Sequence, residues 1–194
     1  MKLQSFKQPN VAEGCYLAPP VTAPEEHERR VTFWCAYMTE TVCATQGIYF
    51  ESLINDAGIT TSLPCSIAEF QSGFEPQDNP QNLASEDLFE HGHVDEFSLH
   101  IKGVILVKRA KYLLGRNNIT SAADKKPPGF RELDAHISQI LQSAPPLKDP
   151  NQMHLIAGKA SALMAIAILH EPWALPYDEA SYSYKRVELM VKET

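Results

Sequence analysis

Apolar residues recur along this chain at helical rather than strand spacing, in segments set apart by clusters of proline and glycine. From about 25 to 46, Val31, Trp34, Cys35, Met38 and Val42 return every third or fourth position, which lines one face of a helix. Phe33 and Tyr37 widen that stripe, so the helix is expected to be covered on more than one side. Thr22 or Ala23 stands at its cap, Pro24 suits its first turn, and Glu25, Glu26 and Glu28 complement the positive end of the dipole. A second helix is predicted over 86–114, with Ser85 as N-cap, Gly115 as the stop, and Phe97, Ile101, Val104, Ile105, Lys108 and Tyr112 on the helical period. The run Val104 to Val107 taken alone fits a strand, but the period continues on both sides and assigns it to the helix.

A third helix is predicted over 129–143, bracketed by Pro127-Pro128 and Pro145-Pro146, with Phe130, Leu133, Ile137, Ile140 and Leu141 inward. The segment 150–170 is apolar nearly all round, the pattern of a buried centre, and Pro172 is expected to end it. A fifth helix starts near Asp178 with Ala180, Tyr184, Val187 and Val191 on one face. Residues 1–24 read as a Pro-rich arm, and 47–84, with Gly47, Gly58, Pro64, Gly73, Pro76 and Pro80, as a long loop holding at most one short turn. The fold class is therefore all-α: an irregular bundle of about five helices around a buried central helix, occupying 25–194, with a long loop after the first helix.

Composition narrows this. Hydrophobic residues make up 44% and charged residues 21%, a globular mixture. The longest apolar run, Leu155 to Leu169, is interrupted by Gly158, Lys159 and Ser161 and falls short of the roughly 20 residues a membrane span needs. No apolar stretch follows Met1, so a cytoplasmic or nuclear setting is expected. Cysteines at 15, 35, 43 and 65 lack the paired spacing of a structural zinc site and are expected to be reduced and buried. Between Val31 and Ile101 there is no Lys or Arg, while Glu40, Glu51, Asp56, Glu69 and further acids lie there. Cations neutralising phosphate dominate nucleic-acid affinity, so this stretch repels DNA.

Signatures of catalysis are missing: no phosphate-binding glycine loop, no H-E-x-x-H, no nucleophile elbow. The best metal candidate is His91-Gly92-His93-Val94-Asp95, since two imidazoles and a carboxylate ligate zinc or iron. On a helix 91 and 93 point apart, which favours solvated polar residues near a helix start. His154 and His170 stand too far apart on one helix to share an ion, and each reads as a hydrogen-bonded core or helix-end residue. A small helical enzyme or metal-binding protein using His91, His93, Asp95 or His154 is the alternative function. Phe70 to Phe97 alternates acids with large apolar residues, a mixture that can act as an amphipathic activation segment but reads first as an acidic surface loop leading into the second helix.

The segment Arg29-Arg30-Val31-Thr32-Phe33-Trp34-Cys35-Ala36-Tyr37 has the form R-R-x-x-F-W-x-x-Y. Ile54 to Pro64 follows as I-x-D-x-x-I-x-x-x-L-P, carrying Asp56, Ile59, Leu63 and Pro64. Leu169-His170-Glu171-Pro172 closes the apolar helix as L-H-x-P. Together, in this order, the three resemble the C-terminal half of the fungal-specific transcription factor domain, the middle homology region of fungal binuclear zinc-cluster transcription factors. The sequence departs from that family at Glu40-Thr41, where an Asp-Arg pair is usual, and after Gly47, where Arg-Pro is usual. It also lacks the family's six-cysteine zinc cluster, so no metal or cofactor is expected in this chain. The resemblance implies a non-catalytic regulatory domain in the nucleus, responding to a small molecule or a co-regulator, with DNA met only through a separate zinc-cluster module. It further implies an incomplete domain, because the family's preceding helices have no counterpart here, and hence self-association. Arg29 and Arg30 are read as partners of Glu25 or Glu26 one turn back, or of the acidic loop.

Overall fold

The computed structural model describes residues 18–45, 54–66, 69, 71–72, 79–90 and 95–174. Among these, the structure is all-α, with four α-helices, one turn of 3-10 helix and no strand. The chain divides into two compact units, Met1–Leu88 and Phe89–Thr194, each taken by itself below.

The first unit is organised by α1, Ala23–Thr45. Thr22 caps it: its Oγ1 accepts from Glu25 N at 3.3 Å, and the Glu25 carboxylate in turn accepts from Val21 N at 2.9 Å. One orphan amide of the first turn and the amide just before the cap are thereby satisfied. The buried face is His27, Arg30, Phe33, Trp34, Tyr37, Met38, Thr41 and Thr45. The predicted stripe is thus rotated: Val31 and Val42 are half-buried and Cys35 is exposed. The aromatic rings bury far more apolar area than Val31 or Cys35, and the helix turns to enclose them. Trp34 stands edge-on to both Phe33 and Tyr37, each with ring centroids 5.3 Å away. Among the described residues, Cys35 and Cys43 are exposed and Cys65 alone of the cysteines is buried, which corrects the expectation of uniformly buried thiols. Asp56–Gly58 forms the 3-10 turn, with the Asn55 side chain accepting from Ala57 N at 3.1 Å.

In the second unit the order is α2, Glu96–Arg116; α3, Phe130–Ser143; and α4, Met153–Ala174. The start of α2 differs from the predicted 86. Residues 86–89 form turns, and Ser85 Oγ accepts from Asn82 N at 2.9 Å, closing a local turn rather than opening a helix. The cap is Asp95, whose Oδ1 accepts from Phe97 N at 3.0 Å and Ser98 N at 3.1 Å. Gly115 is not the stop either. The helix runs through it to Arg116, and Asn118 takes the left-handed conformation at φ 51 that ends the turn. Tyr112, expected inward, is exposed.

Both α3 and α4 keep close to their predicted bounds. Phe130, Leu133, Ile137 and Ile140 are buried as predicted, while Leu141 is half-buried. Pro172 does not terminate α4, which continues to Ala174. Trp173 anchors that last turn by donating from Nε1 to Asp124 O at 2.7 Å. The segment expected at the buried centre, 150–170, encloses one face and exposes Ile156 and Met164 on another, so Phe97–Val107 of α2 is the more continuously buried stretch. With 22 residues, and a mean hydropathy of 1.5 over an 18-residue window, α4 is long and apolar enough by those two measures to cross a bilayer, despite its interruptions. Its composition has another outlet here, since α4 packs closely on α2. A Cβ on Gly103 would lie 2.6 Å from Gly158 O, and one on Gly158 would lie 2.9 Å from His100 N. Two glycines let the backbones touch, and a methyl at either point is excluded. The arm 1–17, the histidines 91 and 93, and the predicted fifth helix lie outside the described residues.

Candidate functional site

Three polar constellations are built on this scaffold. The first joins α1 to the irregular chain of its own unit. Trp34 Nε1 donates to Ser62 O at 2.8 Å, and Tyr37 Oη donates to the Asp56 carboxylate at 3.2 and 3.3 Å. Ile59, Leu63 and Pro64 are buried, and Leu63 N donates to Gln81 O at 2.7 Å. Two of the three sequence motifs, Arg29 to Tyr37 and Ile54 to Pro64, are therefore in direct contact. Along α1, Arg29 pairs with Glu25 at 2.5 Å and Arg30 with Glu26 at 3.2 Å. Arg29 also donates to Ala18 O. The Val21 amide, with the Arg29 guanidinium adding, holds the Glu25 carboxyl below its ordinary value. The reading of each arginine as partner to a glutamate one turn back is met. Close by in this unit, the buried Cys65 Sγ lies 3.3 Å from Nδ1 of the buried His27, a thiol–imidazole contact that sequence spacing did not suggest.

The second constellation surrounds His170, the third motif's histidine. It is fully enclosed, its Nε2 lies 3.1 Å from Asp134 Oδ1 of α3, and Phe130 meets its ring edge-on at 5.0 Å. It is a hydrogen-bonded core residue, as expected. The Lys126 ammonium stands over the Phe130 ring at 4.3 Å and near Trp173 at 5.6 Å. Burial pulls its pKa below the ordinary lysine value, with Asp134 opposing. An open cavity of about 810 Å³ is lined by Leu114, residues 119–123, Glu171 and Pro172.

The third constellation is the pair His100 and His154, whose Nδ1 atoms are 3.3 Å apart, with Phe97 edge-on to His154 at 4.9 Å. Glu96, one turn before His100, accepts from Gln152 Nε2 at 2.6 Å. Burial, and next the neighbouring imidazole, push His100 below the ordinary histidine value. His154 was singled out from the sequence, but His100 was not. A polar residue inside the apolar run 97–107 was its only local signal, and its partner lies 54 residues away. Of the alternative metal set, Asp95 is engaged in capping α2 through Oδ1. Among the described residues no three His, Cys, Asp or Glu side chains gather to hold an ion.

No family model, curated protein or solved structure matches this chain.

Proposed function

We propose that this chain is the regulatory domain of a fungal zinc-cluster transcription factor, without its own DNA-binding cluster, acting in the nucleus on RNA polymerase II transcription. The contact of the Arg29–Tyr37 helix with the Asp56–Pro64 segment, through Trp34–Ser62 and Tyr37–Asp56, is the observation that carries the reading. Two separate stretches that resemble one family are held as one structural element. The cation-free stretch Val31–Ile101 agrees with a module that meets DNA only through another. The cavity beside Pro172 has the volume of small-ligand sites and is the proposed place for an effector.

The finer architecture belongs to the same proposal. A fifth helix from near Asp178 joins the four described, and a second copy covers the exposed Met153, Ile156 and Met164 of α4, which makes 150–170 central in the assembly. The domain needs no metal or other cofactor of its own and no membrane.

The test is transcriptional. The chain fused to an unrelated DNA-binding module should change reporter expression several-fold over that module alone, in either direction, and Trp34→Ala should remove the effect. A fusion that reaches the nucleus, binds the promoter and leaves the reporter at the level of the bare module would overturn the proposal.

A further inference from the structure

We propose that His100 and His154 form a two-imidazole chelate for a divalent transition-metal ion, Cu²⁺ foremost, that ties α2 to α4. This stands on different residues from the regulatory reading and does not depend on it.

The separation of the two nitrogens is the first argument. An ion bound at about 2.0–2.1 Å by each imidazole holds its two nitrogens about 2.8–3.4 Å apart, from the right angle of a tetragonal site to the tetrahedral angle. The two Nδ1 atoms are already 3.3 Å apart. In the free chain that distance carries one shared hydrogen bond, with one Nδ1 protonated and donating to the other. Binding moves that proton through solvent to Nε2 of the same ring, leaving both rings neutral and protonated at Nε2, and a tilt of the rings turns both lone pairs on one ion.

Preorganisation is the second. His100 N is one of the atoms against which Gly158 of α4 is packed, at a distance that admits no Cβ. The backbones carrying the two ligands are thereby fixed at their closest approach, and Phe97 backs the His154 ring. Little ordering remains to be done when an ion arrives. Both rings are half-buried, so an ion from solvent reaches them.

Charge balance is the third. Glu96, fixed by Gln152, supplies a carboxylate one turn from His100 to balance the incoming charge. No third protein ligand gathers among the described residues, so water completes the coordination. Such a site follows the general order of divalent affinities, with Cu²⁺ above Ni²⁺ and Zn²⁺.

The experiment titrates the full chain with Cu²⁺, reading electron paramagnetic resonance and thermal melting. One equivalent should give a signal split by two imidazole nitrogens, and a melting midpoint that climbs with the logarithm of Cu²⁺ concentration. His100→Gln and His154→Gln should each leave one nitrogen and weaken binding at least tenfold, while the double variant His91→Gln/His93→Gln should behave as the native chain. Should either single variant fail to fold, carbethoxylation of the native chain decides: Cu²⁺ must protect His100 and His154 together, seen by mass spectrometry. Equal binding in the native chain and the single variants, loss of binding in the His91/His93 variant, absence of saturable binding, or no protection would overturn the proposal.

Discussion

The two units hold themselves together by different means. Around α1, large aromatic side chains reach into irregular chain and fix it by side-chain bonds, Trp34 to a main-chain carbonyl and Tyr37 to a carboxylate. Between α2 and α4 the side chains step aside: Gly103 and Gly158 bring backbone against backbone, with the enclosed Leu99 and the Ser161 Cβ lying against them. The first arrangement depends on a few heavy anchors. The second depends on the absence of atoms at two points. Loss of mass should injure the first, and gain of mass the second.

The largest effect should come from Trp34→Ala, which removes a fully enclosed ring and leaves Ser62 O without its donor. About 3–5 kcal/mol of destabilisation is expected in denaturant melts. A loss under 1 kcal/mol would mean that the irregular chain is not held by this anchor.

Next in size is Gly103→Ala, expected to cost about 1–3 kcal/mol because the new methyl meets the Gly158 carbonyl and the helices must separate. Gly115→Ala on the same helix is the control, since nothing lies within 4 Å of its Cβ. It should stabilise by about 0.5–1 kcal/mol through helix propensity alone. If the two substitutions shift stability in the same direction, close backbone approach is not what sets the crossing.

Asp95→Ala should cost about 0.5–2 kcal/mol by leaving two first-turn amides of α2 without an acceptor. Ser85→Ala should leave helical circular dichroism unchanged. The reverse ranking would return the start of α2 to residue 86.

The smallest effect is a dependence on pH. Because His100 is held below the ordinary histidine value of 6.5, the unfolded chain takes up this proton at higher pH than the folded one. Its contribution to stability is complete above that value and is lost as pH falls through the lower, folded value. Melts from pH 7.5 to 5 should therefore show a smaller decline for His100→Gln than for the native chain. An equal decline would mean that His100 protonates without cost to the fold.

Local rules made much of this molecule legible. Thr22, Pro24 and Glu25 announce α1, Phe130 to Ile140 announce the inward face of α3, and the proline pairs bracket it, because caps, breakers and helical period act within a few residues. The same rules misled where two local candidates competed. Ser85 and Asp95 are both good caps, and Gly115 and Asn118 both suit a helix end. The choice fell to whichever left the apolar run 97–107 able to pack. The rotation of α1 was likewise not local, since it depends on what Trp34 and Tyr37 find 28 and 19 positions further along.

By itself the sequence determined that the described chain is helical, where most of its helices lie, and that Trp34, Phe33 and Tyr37 belong inside. Only the tertiary structure decided the partnerships: His170 with Asp134, His27 with Cys65, His100 with His154. Each joins residues more than 30 positions apart. The hydrophobic period tells a helix which face to bury, but it does not say against what. That is settled when whole faces meet, and here the meeting of α2 and α4 turns on two glycines whose importance comes from the backbone each one touches.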